Sequence, residues 1–219
     1  MHGIVAYAPN RDVRRWSIEM HISHKHRFVY IGIPRTGSRS MFQWLSDNYQ
    51  SENLGGHHDC NVPEEFSDYL VFTVVRNPYD RMVSGWFYEP TLKYPHDPPK
   101  SKTFADSMRR HLAADPQDTG MWTQKRFVEQ ADISLVLHFE RRPQCLAELP
   151  FVDAGNIPPF PHWNASDRPP GRNFFDLFSK EDEKLVWEHS AEDFASFGYE
   201  RFKCGLAKSS NKTSGGDVQ

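Results

Sequence analysis

The chain has 219 residues, of which 38% are hydrophobic, 14% aromatic and 25% charged. This composition is too rich in aromatic residues for a disordered chain, and the length suits one large domain or two small ones. The formal net charge of −3 excludes a generally basic nucleic-acid-binding protein. A local anion site is better sought in the first half, because residues 1–110 hold 14 basic and 12 acidic residues, whereas the rest of the chain holds 12 and 17.

The three cysteines favour neither a disulfide framework nor a metal site. Cys60, Cys145 and Cys204 are odd in number, and no two of them have the spacing of a metal-binding pair. We therefore expect a reducing, cytoplasmic environment and no metal. No apolar run approaches the roughly 20 residues that cross a bilayer, so we also expect a soluble protein without a membrane span.

Apolar runs separated by turns predict an alternation of strands and helices. Residues 13–24 indicate one or two short strands, and residues 28–33 (FVYIGI) predict a buried strand that leads into a Gly-containing turn and a helix. Residues 69–75 (YLVFTVV) predict a second buried strand, after which Asn77 and Pro78 are typical of a helix start. Further predicted elements are helices at 104–112 and 122–128, a strand at 133–139, and helices at 142–149 and 180–197.

Buried strands that alternate with helices predict an α/β fold. We expect three layers, in which a central, mostly parallel sheet is flanked by helices. Two Pro-rich stretches, at 95–99 and 158–170, are interpreted as loops because patterned segments continue on both sides. The prediction is one domain over residues 1–205, followed by a small polar tail at 206–219 that we expect to be disordered.

The turn after the first buried strand has the features of an anion site. A helix N-terminus presents unpaired N–H groups and the positive end of the helix dipole. Gly37 permits close approach of the backbone, Arg35 adds a permanent cation, and Ser38 and Ser40 add hydroxyl donors. Gly32 and Gly37 have the separation found in nucleotide-binding P-loops, but Ser38 stands where those loops have lysine.

A second anion site is predicted at the end of the next strand. Arg76 follows that strand directly, and Arg81 and Ser84 lie on the helix that comes after it. Ligands of open α/β sheets bind at the carboxyl ends of the strands. One ligand with two separated phosphate-like groups would therefore satisfy both sites.

These segments resemble the PAPS-dependent sulfotransferases, where PAPS is 3′-phosphoadenosine 5′-phosphosulfate. IPRTGSRSMFQWL is similar to their 5′-phosphosulfate loop, and VVRNPYDRMVSGWFY is similar to their 3′-phosphate motif. Later segments, HFERRPQCLAELPF, PPFPHWNASDRP and SAEDFASFGYERF, resemble the carbohydrate and microbial branch of that family. The resemblance implies a P-loop-like fold and transfer of a sulfuryl group from PAPS, without a metal, to a hydroxyl of a glycan or another small acceptor.

The same resemblance implies a set of donor-binding residues. Arg35 takes the place of the family's usual lysine and would act in catalysis as well as in binding. The turn residues that would wrap the phosphosulfate are Thr36, Gly37, Ser38, Arg39 and Ser40. Arg76 and Ser84 would bind the 3′-phosphate, and Asn164 and Ser166 would lie near the donor nucleotide or a closing lid.

The resemblance also indicates where to seek a general base. In the similar enzymes a His or Glu between the two phosphate motifs takes the proton of the acceptor hydroxyl. His57 and His58 are the candidates, and Glu64 and Glu65 are the reserve carboxylates. Glu140, at the end of the third strand, is expected to orient Arg76 or the loop arginines, and Asp193 is interpreted as structural.

Two other functions remain open at this level. A Mg²⁺-dependent kinase or nucleotide hydrolase with a rearranged loop would also use a strand, a turn and a helix, although it would need an acidic strand end. A degenerate module would bind the donor without transferring it. Animal relatives of the resembling family are Golgi-anchored, so a trimmed catalytic domain from the Golgi lumen is the alternative to a cytoplasmic enzyme.

Overall fold

The computed structural model describes residues 18–57, 61–88, 101–112, 123–161 and 174–202. Over these ranges five strands form one sheet in the order β3-β1-β2-β4-β5. The strands are β1 (Ile18–Ser23), β2 (Phe28–Gly32), β3 (Glu52–His57), β4 (Leu70–Val75) and β5 (Leu135–His138). The helices are α1 (Ser38–Tyr49), α2 (Pro78–Tyr88), α3 (Phe104–Leu112), α4 (Gln124–Gln130), α5 (Lys180–His189) and α6 (Ala191–Phe197).

The sheet is mixed, with one reversed strand. β2 pairs in parallel with β4, and β4 pairs in parallel with β5, whereas β1 is antiparallel to both β2 and β3. The expected mostly parallel sheet is therefore confirmed for β2, β4 and β5 and wrong for β1. Because β3 is antiparallel to the reversed strand, it runs in the same direction as β2. Four strands thus end at one edge of the sheet, which we call the carboxyl edge.

Both faces of the central strands are buried. Alternate residues of a strand point to opposite faces, so the continuous apolar runs of β2 and β4 supply two cores. Phe28 and Tyr30 belong to a cluster with Trp44 of α1. Val29 belongs to a second cluster with Phe127 of α4. Helices therefore cover the sheet on both sides, as the predicted α/β layers require.

A third cluster lies beside the sheet and supports the helix that follows β4. It is centred on Tyr79 of α2, which is fully buried among apolar side chains of α3, α5 and α6. The Tyr79 hydroxyl donates to a carboxylate oxygen of Glu183 at 2.5 Å, and Glu183 also accepts from Arg201 at 2.9 Å. These contacts fix α2 and, with it, the position of the residues at the end of β4.

Two predicted helices differ from the structure, and one strand of the sheet was not predicted. The helix predicted over 180–197 is two helices, because Ser190 closes α5 with its N–H and opens α6 with its carbonyl oxygen. Leu185, an apolar residue of α5, is 39% exposed. The segment predicted as a helix over 142–149 is a 3₁₀ turn at Gln144–Glu148. β3 was not predicted, since Gly55 and Gly56 weaken its strand pattern.

Candidate functional site

The turn between β2 and α1 is held open by two left-handed residues. Arg35 has φ 69° and Gly37 has φ 81°. Thr36 is fully buried, and its hydroxyl donates to the carbonyl oxygen of Ile33 at 2.9 Å, so this side chain shapes the turn from inside. Gly37 is the N-cap of α1 and offers no side-chain acceptor. Residue 37 therefore provides no side-chain cap for the first N–H groups of α1. Uncapped N–H groups at a helix N-terminus can bind an anion.

Arg76 is buried and oriented on all sides at the end of β4. The side-chain amide of Gln124 bonds both backbone groups of Arg76, accepting from its N–H at 2.7 Å and donating to its carbonyl oxygen at 2.8 Å. The Nε of Arg76 donates to Asp80 at 2.5 Å, in a pair where both side chains are about nine-tenths buried. The guanidinium also lies over the ring of Phe139, 3.9 Å from its centroid. Such a fixed cation is suited to binding an anion with defined geometry.

Direct hydrogen bonds join the two predicted anion sites. One terminal nitrogen of Arg35 donates to the carbonyl and hydroxyl oxygens of Ser84, at 2.7 and 2.9 Å. Arg76 donates to the carbonyl oxygen of Arg35 at 3.0 Å, and Arg81 donates to that of Pro34 at 3.0 Å. Burial lowers the pKa of Arg81 to about 10. The two strand ends thus form one basic site at the carboxyl edge.

The remaining turn residues take different positions. Ser40 is buried in the first turn of α1, Ser38 is half-buried and Arg39 is exposed. Asn77 caps α2 as predicted, because its side-chain oxygen accepts from the N–H of Tyr79 at 3.0 Å. The first turns of α1 and α2 therefore both begin at the carboxyl edge.

Two acidic residues near the site are engaged with backbone and hydroxyl groups. Glu140 accepts from the N–H of Asn77 at 2.6 Å and from the hydroxyl of Tyr199 at 3.0 Å. Asp80 holds the Nε of Arg76, and the expected orienting of Arg76 or the loop arginines by Glu140 stays a prediction. Asp193 accepts from the N–H groups of Gln124 and Lys125 at 3.0 and 2.8 Å, which confirms its structural role as a cap of α4.

The sheet register places the backbone of His57 at the carboxyl edge. His57 pairs with Ile18 of β1, and the adjacent Glu19 pairs with Gly32 of β2. His57 and Gly32 thus lie almost level on either side of β1, about 10 Å apart for two strand spacings. His58, Asn164 and Ser166 lie outside the described residues, as does the tail at 206–219.

The reserve carboxylates do not reach this edge. Glu64 and Glu65 are exposed in a 3₁₀ turn, Glu64–Phe66, that precedes the start of β4. The ring of Phe66 contacts His24, which lies in the turn between β1 and β2. That turn is at the edge opposite the arginines, so the expectation of Glu64 or Glu65 as a substitute base is wrong.

Arg142 is a basic residue beside the turn that the sequence did not predict. Arg142 follows β5, and its guanidinium lies over the ring of Phe139, 3.8 Å from the centroid. Its terminal nitrogens come within 2.9 and 3.0 Å of the point where a Cβ at residue 37 would lie. The sequence signal for Arg142 is its place in an Arg-Arg pair after a buried strand. The pair is far from Gly37 in the sequence, so the sequence does not indicate that the two residues are in contact.

Over the described ranges, no three side chains of His, Cys, Asp or Glu come together as a metal site would require. None of the described helices has the length and apolar character needed to cross a membrane.

Comparison with known proteins gave one match. The family model described as the sulfotransferase family matches residues 19–132, just over half of the chain. Searches against curated proteins and against solved structures found no match. The matched segment contains the turn at Arg35, the β3 strand and the strand end at Arg76.

Proposed function

The chain belongs to the sulfotransferase family, and on this premise we propose that it transfers the sulfuryl group of PAPS to a hydroxyl of a carbohydrate acceptor. The observation that carries this proposal is the hydrogen bonding between the two strand ends, from Arg35 to Ser84 and from Arg76 to the Arg35 carbonyl. Because the two arginines share one edge, a single ligand with two separated phosphate groups can contact both.

Each half of the site has its own role. Arg35 and the first turn of α1, with Thr36, Gly37, Ser38, Arg39 and Ser40, would bind the 5′-phosphosulfate, largely through backbone N–H groups. Arg76 and Ser84 would bind the 3′-phosphate, which distinguishes PAPS from ordinary nucleotides. Asn164 and Ser166 are proposed near the nucleotide because of their place in the family's later motif.

Bound PAPS supplies an activated sulfuryl group whose sulfur–oxygen bond breaks as the acceptor oxygen attacks. Arg35 and the turn amides stabilise the negative charge that develops on the departing 5′-phosphate, as a preorganised oxyanion site does. The proton of the acceptor hydroxyl passes to a histidine. The proposal needs no metal ion, since the buried arginines supply the positive charge.

His57 or His58 is the proposed base. The support is topological: the backbone of His57 ends β3 at the edge that holds Arg35 and Arg76. An acceptor bound over β1 would then lie between this histidine and the donor. A neutral imidazole suits proton abstraction near pH 7.

Calorimetry tests donor recognition. We expect the protein to bind 3′-phosphoadenosine 5′-phosphate (PAP) much more tightly than AMP, because AMP lacks the group that Arg76 holds. Arg76→Ala should remove this preference. Arg27→Ala is the matched control, because Arg27 pairs with Asp68 on the surface at the opposite edge. Equal affinity of the wild-type protein for PAP and AMP would contradict the proposal.

A transfer assay tests the reaction. The protein is incubated with PAPS labelled in its sulfuryl group and a panel of glycans, and label on the acceptor is measured. We expect His57→Ala or His58→Ala to abolish transfer while PAP affinity stays within twofold of wild type. PAP binding without transfer to any acceptor would favour the degenerate module, and Mg²⁺-dependent turnover of ATP would favour the kinase or hydrolase.

A further inference from the structure

Arg142 lies beside the donor site, and no salt bridge holds its guanidinium within the described residues. It follows a 3₁₀ turn, Phe139–Arg141, that continues directly from β5. Its Nε donates to the carbonyl oxygen of Phe139 at 3.3 Å, and its guanidinium is 4.7 Å from the ring centroid of Phe160. Both contacts hold the side chain in place, but neither supplies a negative charge.

The terminal nitrogen Nη1 of Arg142 is buried and has no hydrogen-bond partner in the described part of the chain. Burial, with the nearby charge of Arg76, lowers the pKa of Arg142 to about 10. The preceding residue is an internal contrast, because Arg141 is 61% exposed and pairs with Glu148 at 2.8 Å. A buried guanidinium nitrogen without a hydrogen-bond partner is costly, and such groups in native proteins usually have an explanation such as a ligand or a reaction.

The direction of Arg142 identifies the ligand class. Its two terminal nitrogens approach the Cβ position of residue 37, the N-cap of α1. An N-cap side chain normally supplies an acceptor to the helix N–H groups, but Gly37 supplies none. The hydroxyl of Tyr30, fully buried behind this turn, also lacks a hydrogen-bond partner within the described ranges. The guanidinium and the first amides of α1 thus meet at the turn, and an anion bound there would accept hydrogen bonds from both.

We propose that Arg142 is a third arginine of the donor site and binds the 5′-phosphate group together with the N-terminus of α1. This inference rests on the proposed function, and it assigns to the 5′ end of the donor a residue that lies outside both phosphate motifs. Phe139 holds Arg142 and Arg76 on one ring, so the same aromatic side chain orients a cation for each phosphate.

Fragments of the donor separate the two phosphate positions. Calorimetry is performed with PAP, with AMP, which has only the 5′-phosphate, and with adenosine 3′-monophosphate, which has only the 3′-phosphate. We expect Arg142→Gln to weaken binding of PAP and AMP by roughly ten- to a hundredfold, as for a lost hydrogen bond to a charged group. Binding of the 3′-monophosphate should stay within twofold, and Arg76→Ala should give the reverse pattern.

Arg141→Gln is the matched control, since it removes the same charge one residue away from a surface ion pair, and it should leave all three affinities unchanged. Arg142→Lys keeps the charge but loses the planar fork, so we expect an intermediate loss for AMP. If Arg142→Gln fails to fold, Arg142→Lys provides the test: a loss of affinity for AMP but not for the 3′-monophosphate supports the inference, and equal effects on both contradict it.

Thermal unfolding without ligand provides a separate measurement. A purely structural role predicts a lower melting temperature for Arg142→Gln, whereas a ligand-binding role predicts an unchanged or higher one, because a buried nitrogen without a hydrogen-bond partner is removed. Unchanged AMP affinity in Arg142→Gln, or equal loss for both monophosphates, would overturn the inference. Failure of the wild-type protein to bind PAP would instead overturn the proposed function.

Discussion

Arg35 and Ser84 are joined by two hydrogen bonds from one guanidinium nitrogen, to the hydroxyl oxygen at 2.9 Å and the carbonyl oxygen at 2.7 Å. The side chain of Arg35 also lies over the ring of Tyr88, 4.1 Å from its centroid. Arg35 lies in the turn of the first predicted anion site, and its side chain thus contacts α2, the helix of the second site. An alteration of Ser84 is therefore expected to affect both sites.

Ser84→Ala tests this coupling. The substitution removes the hydroxyl that accepts from Arg35 and that, in the proposed complex, faces the 3′-phosphate. We expect PAP affinity to fall about five- to tenfold, as for a loss of about 1 kcal/mol. Calorimetry measures the change, and Ser67→Ala at the opposite edge is the control. Undiminished affinity would show that the Ser84 hydroxyl has no part in binding.

Gly37→Ala tests the geometry of the turn, and Gly198→Ala is its control. Both glycines have positive φ, so alanine at either position is strained by about 1–2 kcal/mol. At residue 37 the new Cβ also lies 2.9 Å from Arg142 and 3.0 Å from Phe139, whereas at residue 198 nothing lies within 4 Å. We expect urea unfolding to show the backbone strain in both variants and a further loss of stability from the overlap in Gly37→Ala. Loss of PAP binding, by more than tenfold, is expected only in Gly37→Ala. Equal PAP affinities for the two variants would contradict this prediction.

Gln124→Ala tests the support of Arg76. Removal of the amide leaves the backbone N–H and carbonyl oxygen of Arg76 without the bonds that Gln124 provides. We expect a loss of about 2–4 kcal/mol in the free energy of unfolding, as for two buried hydrogen bonds, and a reduced preference for PAP over AMP. Gln130→Ala, at the exposed end of the same helix, should change neither quantity.

The pH dependence of stability is expected to report on His21. Its ring stacks on Phe42 at 4.1 Å, and burial lowers its pKa to about 4. Between the usual pKa of about 6.5 and this lower value, the unfolded chain binds a proton that the folded chain does not, so stability falls as pH decreases through this range. The slope from this residue is less than about 1.4 kcal/mol per pH unit, since the ring is partly exposed.

His21→Phe provides the comparison for this residue. The variant retains a ring on Phe42 but has no proton to bind. Urea unfolding at pH 7 and pH 5 should show that the wild type loses more stability than the variant on acidification. Parallel losses in the two proteins would indicate that His21 titrates normally in the folded state.

The elements that position the site were predictable because their signals are local. β2 and β4 are continuous apolar runs, and the Asn77-Pro78 pair marks the start of α2 as strongly as any helix signal in the chain. Arg35 and Arg76 could be expected at one edge because strand ends in parallel sheets share an edge. The hydrogen bond between Arg35 and Ser84 follows from that placement, although its geometry could not be derived.

The features that escaped prediction depend on contacts between distant segments. β3 is stabilised by pairing with β1, which overrides the weak strand propensity of Gly55 and Gly56. Arg142 belongs to the site only because β5 lies next to β4 in the sheet. Neither fact is encoded in the residues around these positions, so only the assembled sheet reveals them.

The shared ring of Phe139 has a consequence for selectivity. Arg76 and Arg142 both lie within 4 Å of its centroid, so an anion that fixes one arginine also restrains the ring that supports the other. In the proposed donor complex, binding of one phosphate therefore orders the Phe139 ring before the other phosphate binds to its own arginine. In the proposed complex a nucleotide with a single phosphate would lack this cooperative contribution. Such cooperativity would exclude abundant mononucleotides from the site without any contact made to reject them.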